Sequence, residues 1–396
     1  MSPTTLLIIV LGLLSLTDFF RGQRYETLHR QLYAVALFFF CFIVSIKYYY
    51  GSDIVTYYPH YIATDTPLKL IRENINNTRF EFGYELYCSI LNYIGLSFWW
   101  MTFLITVLYF YTINKLFKRL NGYKIFALLL IVFFEYNLFF FEYRQSLSVS
   151  FFILSFLALE DKKYFRYVLF TILTILCHKS GIIISGLALF AFLVKFRAYS
   201  KKYYILLFFL LVIMVFVPIK EAVISLMEIV PLNSTMEASI KMHLDLTKQI
   251  QAILIIYLIL FFILSFFDIK DVFNNNWHRL MIVFFFIIVF FYQDYFLLNR
   301  IRSYFIPIAI VYVINILESK ITRKQYSNVL ILIFAVYIVI FYSGFKLHTE
   351  DKKAQSGVNE FTTVFALTKA SEGEIRNEKM KKAKKFWENE YKKTKK

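Results

Sequence analysis

The chain has 396 residues, of which 59% are hydrophobic, 20% aromatic and 18% charged, with 47 Phe, 30 Tyr and a mean hydropathy of +0.58. An average globular chain is about 45 to 50% apolar and about 25% charged, so disorder, a disulfide scaffold and a soluble enzyme are excluded. The net charge of +17 would suggest nucleic acid in a soluble protein. In a membrane protein the same charge gathers in cytoplasmic loops for topological reasons, and no nucleic-acid partner is expected.

Cys41, Cys88 and Cys177 define no disulfide framework. With 11 Gly and 6 Pro the chain has little material for irregular structure, and its continuous apolar runs do not alternate as barrel strands do. A helix crosses the hydrocarbon with about 20 apolar residues, fewer where interfacial Tyr, Trp, Lys or Arg complete it. Such runs lie at 4–20, 31–50, 97–113, 124–141, 145–159, 164–177, 181–196, 203–219, 250–267, 280–295, 303–317 and 328–345. They predict an all-α, polytopic integral membrane protein with about twelve transmembrane helices. The first run lacks a basic n-region and a small-residue cleavage site, so it reads as a retained span.

The loops 21–30, 114–124, 160–166, 195–202, 268–279 and 318–326 carry 19 Lys and Arg, against ten in 51–96, 142–144, 178–180, 220–249 and 296–302. By the positive-inside rule the first set is cytoplasmic and the N-terminus and long loops are outside. Residues 51–96 and 220–249 are polar and aromatic, with apolar spacings that suit amphipathic interfacial helices. Residues 1–345 form one polytopic domain. The remaining 346–396, with 14 Lys+Arg and 8 Asp+Glu, read as a basic, helical or disordered tail that is dispensable.

Polar residues at or near membrane depth are costly, so their clustering points to function. Asp53, Tyr57, Tyr58, His60, Glu81 and Glu85 lie in the first long outer loop; Arg144 and Gln145 open the fifth run, and His178 and Lys179 follow the sixth. Two short helices and a tight turn return the chain from Arg144 to His178 on one side. Arg300 and Arg302 open the eleventh run on the same side. Acids, a histidine and arginines at headgroup level suggest a site for an anionic, lipid-linked ligand, since the guanidinium fork matches phosphate oxygens. Singly, each has a plainer role: an arginine as snorkelling anchor, a histidine as satisfied polar group, Asp53 as helix cap. Glu135, inside the fourth run, must be paired or protonated. No His/Cys/Asp/Glu set has metal-ligand spacing, and no cofactor is expected.

The stretch EYRQSLSVSFFILSFLALEDKKYFRYVLFTILTILCHKSGIIIS resembles the most recognisable part of the EpsG family of Wzy-like polysaccharide polymerases. GSDIVTYYPHY is similar to that family's Gly-x-Asp-x-x-x-Tyr motif, FEFGYELYCSIL to its Glu-x-Gly-Tyr segment, and NRIRSYFIPIAI to its late Arg-x-x-Tyr-Phe. The resemblance implies an enzyme of the bacterial cytoplasmic membrane that joins undecaprenyl-pyrophosphate-linked repeat units into O-antigen, capsule or exopolysaccharide on the outer face. It would work in lipid beside a flippase and a chain-length regulator. It implies Arg144 and Arg302, with Arg300 and Lys179 in reserve, on the leaving pyrophosphate, and His178 or Asp53 as base. Tyr57, Glu81, Tyr84 and Gln145 would contact the sugars. A lipid-linked oligosaccharide flippase, another membrane glycosyltransferase and an O-antigen ligase are the rival readings.

Overall fold

The computed structural model describes residues 3–19, 26–48, 53–73, 79–193, 275–290, 295–320, 362–363 and 369–394, with a few positions between 205 and 213. These are overwhelmingly helical: α1 (Pro3–Ser15, extended by a 3-10 turn at Leu16–Phe19), α2 (Glu26–Ser45), α3 (Ile54–Ile62), α4 (Pro67–Glu73), α5 (Phe82–Tyr93), α6 (Phe98–Phe117), α7 (Lys124–Phe140), α8 (Tyr143–Glu160), α9 (Tyr164–Cys177), α10 (Ser180–Leu193), α11 (Asn275–Phe290), α12 (Tyr295–Lys320) and α13 (Lys369–Thr394). Strands β1 (Lys47–Tyr48) and β2 (Thr362–Thr363) pair antiparallel, Lys47 opposite Thr363 and Tyr48 opposite Thr362.

Helices occupy every predicted run except those at 203–219, 250–267 and 328–345, which lie wholly or largely outside the described residues, as does the loop 220–249. Among the described residues, only α2 and α6 are long and apolar enough to cross a membrane; shorter apolar helices include most of α1, all of α9 and α10, and most of α11. The count of twelve spans therefore does not emerge from the described residues. The reason is visible in α8, where Arg144, Gln145, Glu160 and four serines dilute an apolar core. It is visible again in α7, where Glu135 is buried at a break with φ −119° and ψ 22°. The loop predicted at 51–96 does fold into short helices, α3 to α5.

The chain divides into two units, residues 1–181 with 321–396, and residues 182–320. In the second, α11 and α12 run antiparallel, with Phe284 stacked on Phe305 at 4.9 Å and His278 Nδ1 2.6 Å from the Tyr312 hydroxyl. The first unit holds most of the described chain. There α7 starts on an acidic cap supplied from afar: Asp18 Oδ2 accepts from the Ile125 and Phe126 N–H groups, each at 2.9 Å. An anion at a helix N-terminus satisfies orphan donors and the dipole together.

Helices α8 and α9 form the tightest pair of this unit. Ser148 Oγ donates to the Thr174 carbonyl at 2.8 Å, and Ser155 Oγ lies 2.7 Å from Thr171 Oγ1. Small side chains let helix backbones approach, which the serines on α8 exploit. The turn between them is a Schellman cap: Lys162 sits at φ 59°, its N–H bonded to the Leu159 carbonyl and that of Lys163 to Ala158. The hairpin thus brings the start of α8 back to the end of α9.

A cap layer of α3 and α5 closes over that end. Its core joins Tyr57, Tyr61, Tyr84 and Cys88 to Phe98, Tyr143, Leu147 and Cys177. Ala383 of α13 is buried in the same core, and Lys379 Nζ donates to the Tyr48 carbonyl at 3.5 Å. Through β2 and α13 the basic tail is built into this unit.

Candidate functional site

The first turn of α8 carries Arg144 and the residue after α9 is His178. The loop entering α5 reaches both, because Gly83 lets the two backbones touch. A Cβ on Gly83 would lie 2.7 Å from Leu176 Cβ and 2.8 Å from the Leu176 carbonyl oxygen. With α5 held that close to α9, Glu81 falls between the hairpin's two ends. Arg144 Nη1 donates to Glu81 Oε2 at 2.6 Å, and the Lys179 N–H donates to Glu81 Oε1 at 3.2 Å.

The guanidinium is further fixed from α3 and from the loop. Its Nε donates to the Tyr57 hydroxyl at 3.2 Å, and its Cζ lies 4.3 Å from the centre of the Phe80 ring. Cation–π contact of this kind strengthens as water is excluded. Nη2 has no hydrogen-bond partner among the described residues. Burial pushes the Glu81 carboxyl up, but Arg144, His178 and the backbone N–H groups of Glu81 and Lys179 outweigh it and hold the group below the ordinary carboxylate value. Burial likewise raises the Tyr57 phenol, while the Arg144 charge lowers it in part. The Cys88 thiol is pushed up to about 12 by burial, which suits packing rather than reactivity.

Beyond Phe80 lies a second polar pair. Glu85 Oε1 accepts the Phe80 N–H at 2.9 Å, and Glu85 Oε2 lies 2.7 Å from His60 Nε2. The His60 ring meets Phe80 edge to face at 4.6 Å, so His60 and Arg144 both touch that phenylalanine.

The structure thus brings together Tyr57, Glu81, Arg144, His178 and Lys179. His178 is buried, with Nδ1 2.6 Å from Ser180 Oγ and accepting the Ser180 N–H at 3.3 Å. The Lys179 side chain is exposed, and its backbone makes the contact to Glu81. Asp53 starts α3 without a side-chain cap bond, its carbonyl accepting from Thr56 and Tyr57. Tyr57 and Tyr84 are packed in the aromatic core, 6.0 Å apart, and Gln145 is buried. Arg300 and Arg302 lie on α12, in the other unit. Among the described residues no group of three or more His, Cys, Asp and Glu is placed to hold a metal ion.

Two contributors escaped the sequence reading. Phe80, the floor under Arg144, is one of 47 phenylalanines and carries no signal of its own. Lys47 falls inside the apolar run 31–50, yet it is fully buried, donates to the Phe139 carbonyl at 2.6 Å and lies 4.7 Å from the Tyr143 ring centre. A cation on the last turn of α7 answers the helix's negative end and steadies the turn that presents Arg144. A lone lysine closing an apolar run was the available clue.

The model of the EpsG family matches residues 30–359. The chain belongs to the EpsG family. The EpsG match spans every predicted site residue, from Asp53 to Arg302, and leaves α1 and α13 outside it. No curated protein and no solved structure matches the chain. EpsG membership together with the apolar helices marks a membrane protein with a role like that of the polysaccharide polymerases.

Proposed function

We propose that this EpsG protein polymerises undecaprenyl-pyrophosphate-linked oligosaccharide repeat units by glycosyl transfer on the outer face of the bacterial cytoplasmic membrane, making O-antigen, capsule or exopolysaccharide. The observation that carries this reading is Arg144: a half-dry guanidinium, clamped by Glu81 and Tyr57 over Phe80, whose Nη2 makes no hydrogen bond among the described residues. In glycosyl transfer the acceptor hydroxyl attacks the donor's anomeric carbon and charge develops on the departing pyrophosphate. A preorganised donor in a site of low dielectric stabilises that charge far better than water does. Lys179 is a further ligand for the diphosphate, and Tyr57, Glu81, Tyr84 and Gln145 border the sugars. The leaving lipid remains in the bilayer. The flippase and ligase readings draw no specific support from the described residues.

The test is deletion of the gene, followed by electrophoresis of the surface polysaccharide. A polymerase leaves single repeat units where the long-chain ladder was. Full-length polymer stranded on carrier lipid would instead identify a ligase, and repeat units trapped on the cytoplasmic leaflet a flippase.

A further inference from the structure

Glu85 and His60 form a pair that the roles above do not use. Glu85 is anchored at both oxygens, by the Phe80 N–H at 2.9 Å and by His60 Nε2 at 2.7 Å, and its side chain is 4% exposed. A carboxylate accepts, so the pair sets the imidazole with its proton on Nε2 and its lone pair on Nδ1. His60 Nδ1 has no hydrogen-bond partner among the described residues, and the ring is 15% exposed. His178, by contrast, is buried and has Nδ1 engaged by Ser180. Phe80 carries His60 on one contact and Arg144 on another, at 4.6 and 4.3 Å.

We propose that His60, oriented by Glu85, is the general base that activates the acceptor hydroxyl. The inference rests on the polymerase reading. In the step, the acceptor oxygen bonds to the donor's anomeric carbon as its proton passes to His60 Nδ1. The bond from that carbon to the pyrophosphate oxygen breaks, its electron pair leaves with the diphosphate beside Arg144, and His60 returns the proton to water. Glu85 is a positioning residue: it fixes the tautomer and stabilises the imidazolium, as a buried carboxylate does in other acid–base pairs.

The experiment uses the full-length protein in membrane vesicles, with the lipid-linked repeat unit that accumulates in a deletion strain as substrate. General-base removal costs about 10² to 10⁴ in rate. His60→Ala is expected to lose at least about a hundredfold in kcat and to regain part of it with added imidazole, which a packing defect would not. His60→Gln keeps a polar contact to Glu85 and stays inactive; Glu85→Gln falls in kcat more than it rises in KM. His60→Gln working within twofold of wild type, or His60→Ala beyond rescue while Glu85→Gln is unimpaired, overturns the proposal. A wild-type chain that extends no glycan, or an Arg144→Ala variant that extends it normally, would instead fail the polymerase reading itself.

Discussion

The α8–α9 hairpin ends in an arginine–carboxylate cluster on both sides, and the two clusters differ mainly in their access to water. At the turn, Arg119, just past the end of α6, pairs with Asp161 at 2.5 Å and Glu160 at 3.3 Å, and Lys163 with Asp161 at 2.9 Å; Arg119 and Lys163 are 38% and 53% exposed. At the open end Arg144 pairs with Glu81 at 2.6 Å, and the two side chains are 18% and 9% exposed. The chemistry is the same in both. Exposed pairs contribute about 0 to 1 kcal/mol because water and salt screen them, whereas removing one partner of a buried pair costs about 3 to 5 kcal/mol because the other charge is stranded. The turn cluster therefore staples three helices, while the open end holds a guanidinium fixed in a partly dry setting.

The sharpest way to break this contrast is Arg144→Ala. It strands Glu81 and removes the donor for the leaving group, so polymer synthesis should fall by about 10² to 10³, the loss seen when a preorganised donor is deleted. Arg144→Lys, which keeps the charge without the fork, should recover only a minor part. Ladder length and initial rate in vesicles check both.

Gly83→Ala comes next. The added methyl meets Leu176 backbone as well as its Cβ, so α5 must move off α9 and Glu81 with it. Overpacking of this kind costs about 1 to 3 kcal/mol, which a lowered thermal midpoint in detergent would register together with reduced synthesis.

Acid should separate the two ends more gently. Because the folded Glu81 carboxyl is held below its ordinary value, its contribution to stability is complete above the unfolded carboxylate range and is lost as pH falls through the folded value. The open end should hold through mildly acidic pH and loosen only below that range, and Glu81→Gln should abolish that acid-dependent step in a pH series of melting curves. The smallest effect belongs to the turn: Arg119→Ala should cost at most about 1 kcal/mol, vanish in high salt and leave the rate unchanged.

Much of the hairpin was legible beforehand. Helical runs on either side of Glu160-Asp161-Lys162-Lys163 require Arg144 and His178 to return to one end, and they do. The partners at that end were less legible. His60 and Glu85 stood among the polar residues of one loop, but nothing in their 25-residue spacing predicts a 2.7 Å contact. The tail looked separable, since a charged helix with Glu and Lys at helical spacings needs no neighbour; its few apolar residues nevertheless dock, with Ile375, Met380 and Ala383 against the cap-layer core.

Composition, local spacing and short motifs are enough to yield the helical character, the apolar surface, the hairpin and the family. That Glu81 joins Arg144 to the end of α9, that Glu85 sets His60 and that Lys47 closes α7 emerges only in the folded chain. The physical reason is that these contacts span 63, 98, 25 and 92 residues of chain. Periodicity says which face of a helix is apolar; which polar groups meet is settled by how closely the backbones dock, and here a glycine at position 83 and serines along α8 permit that approach.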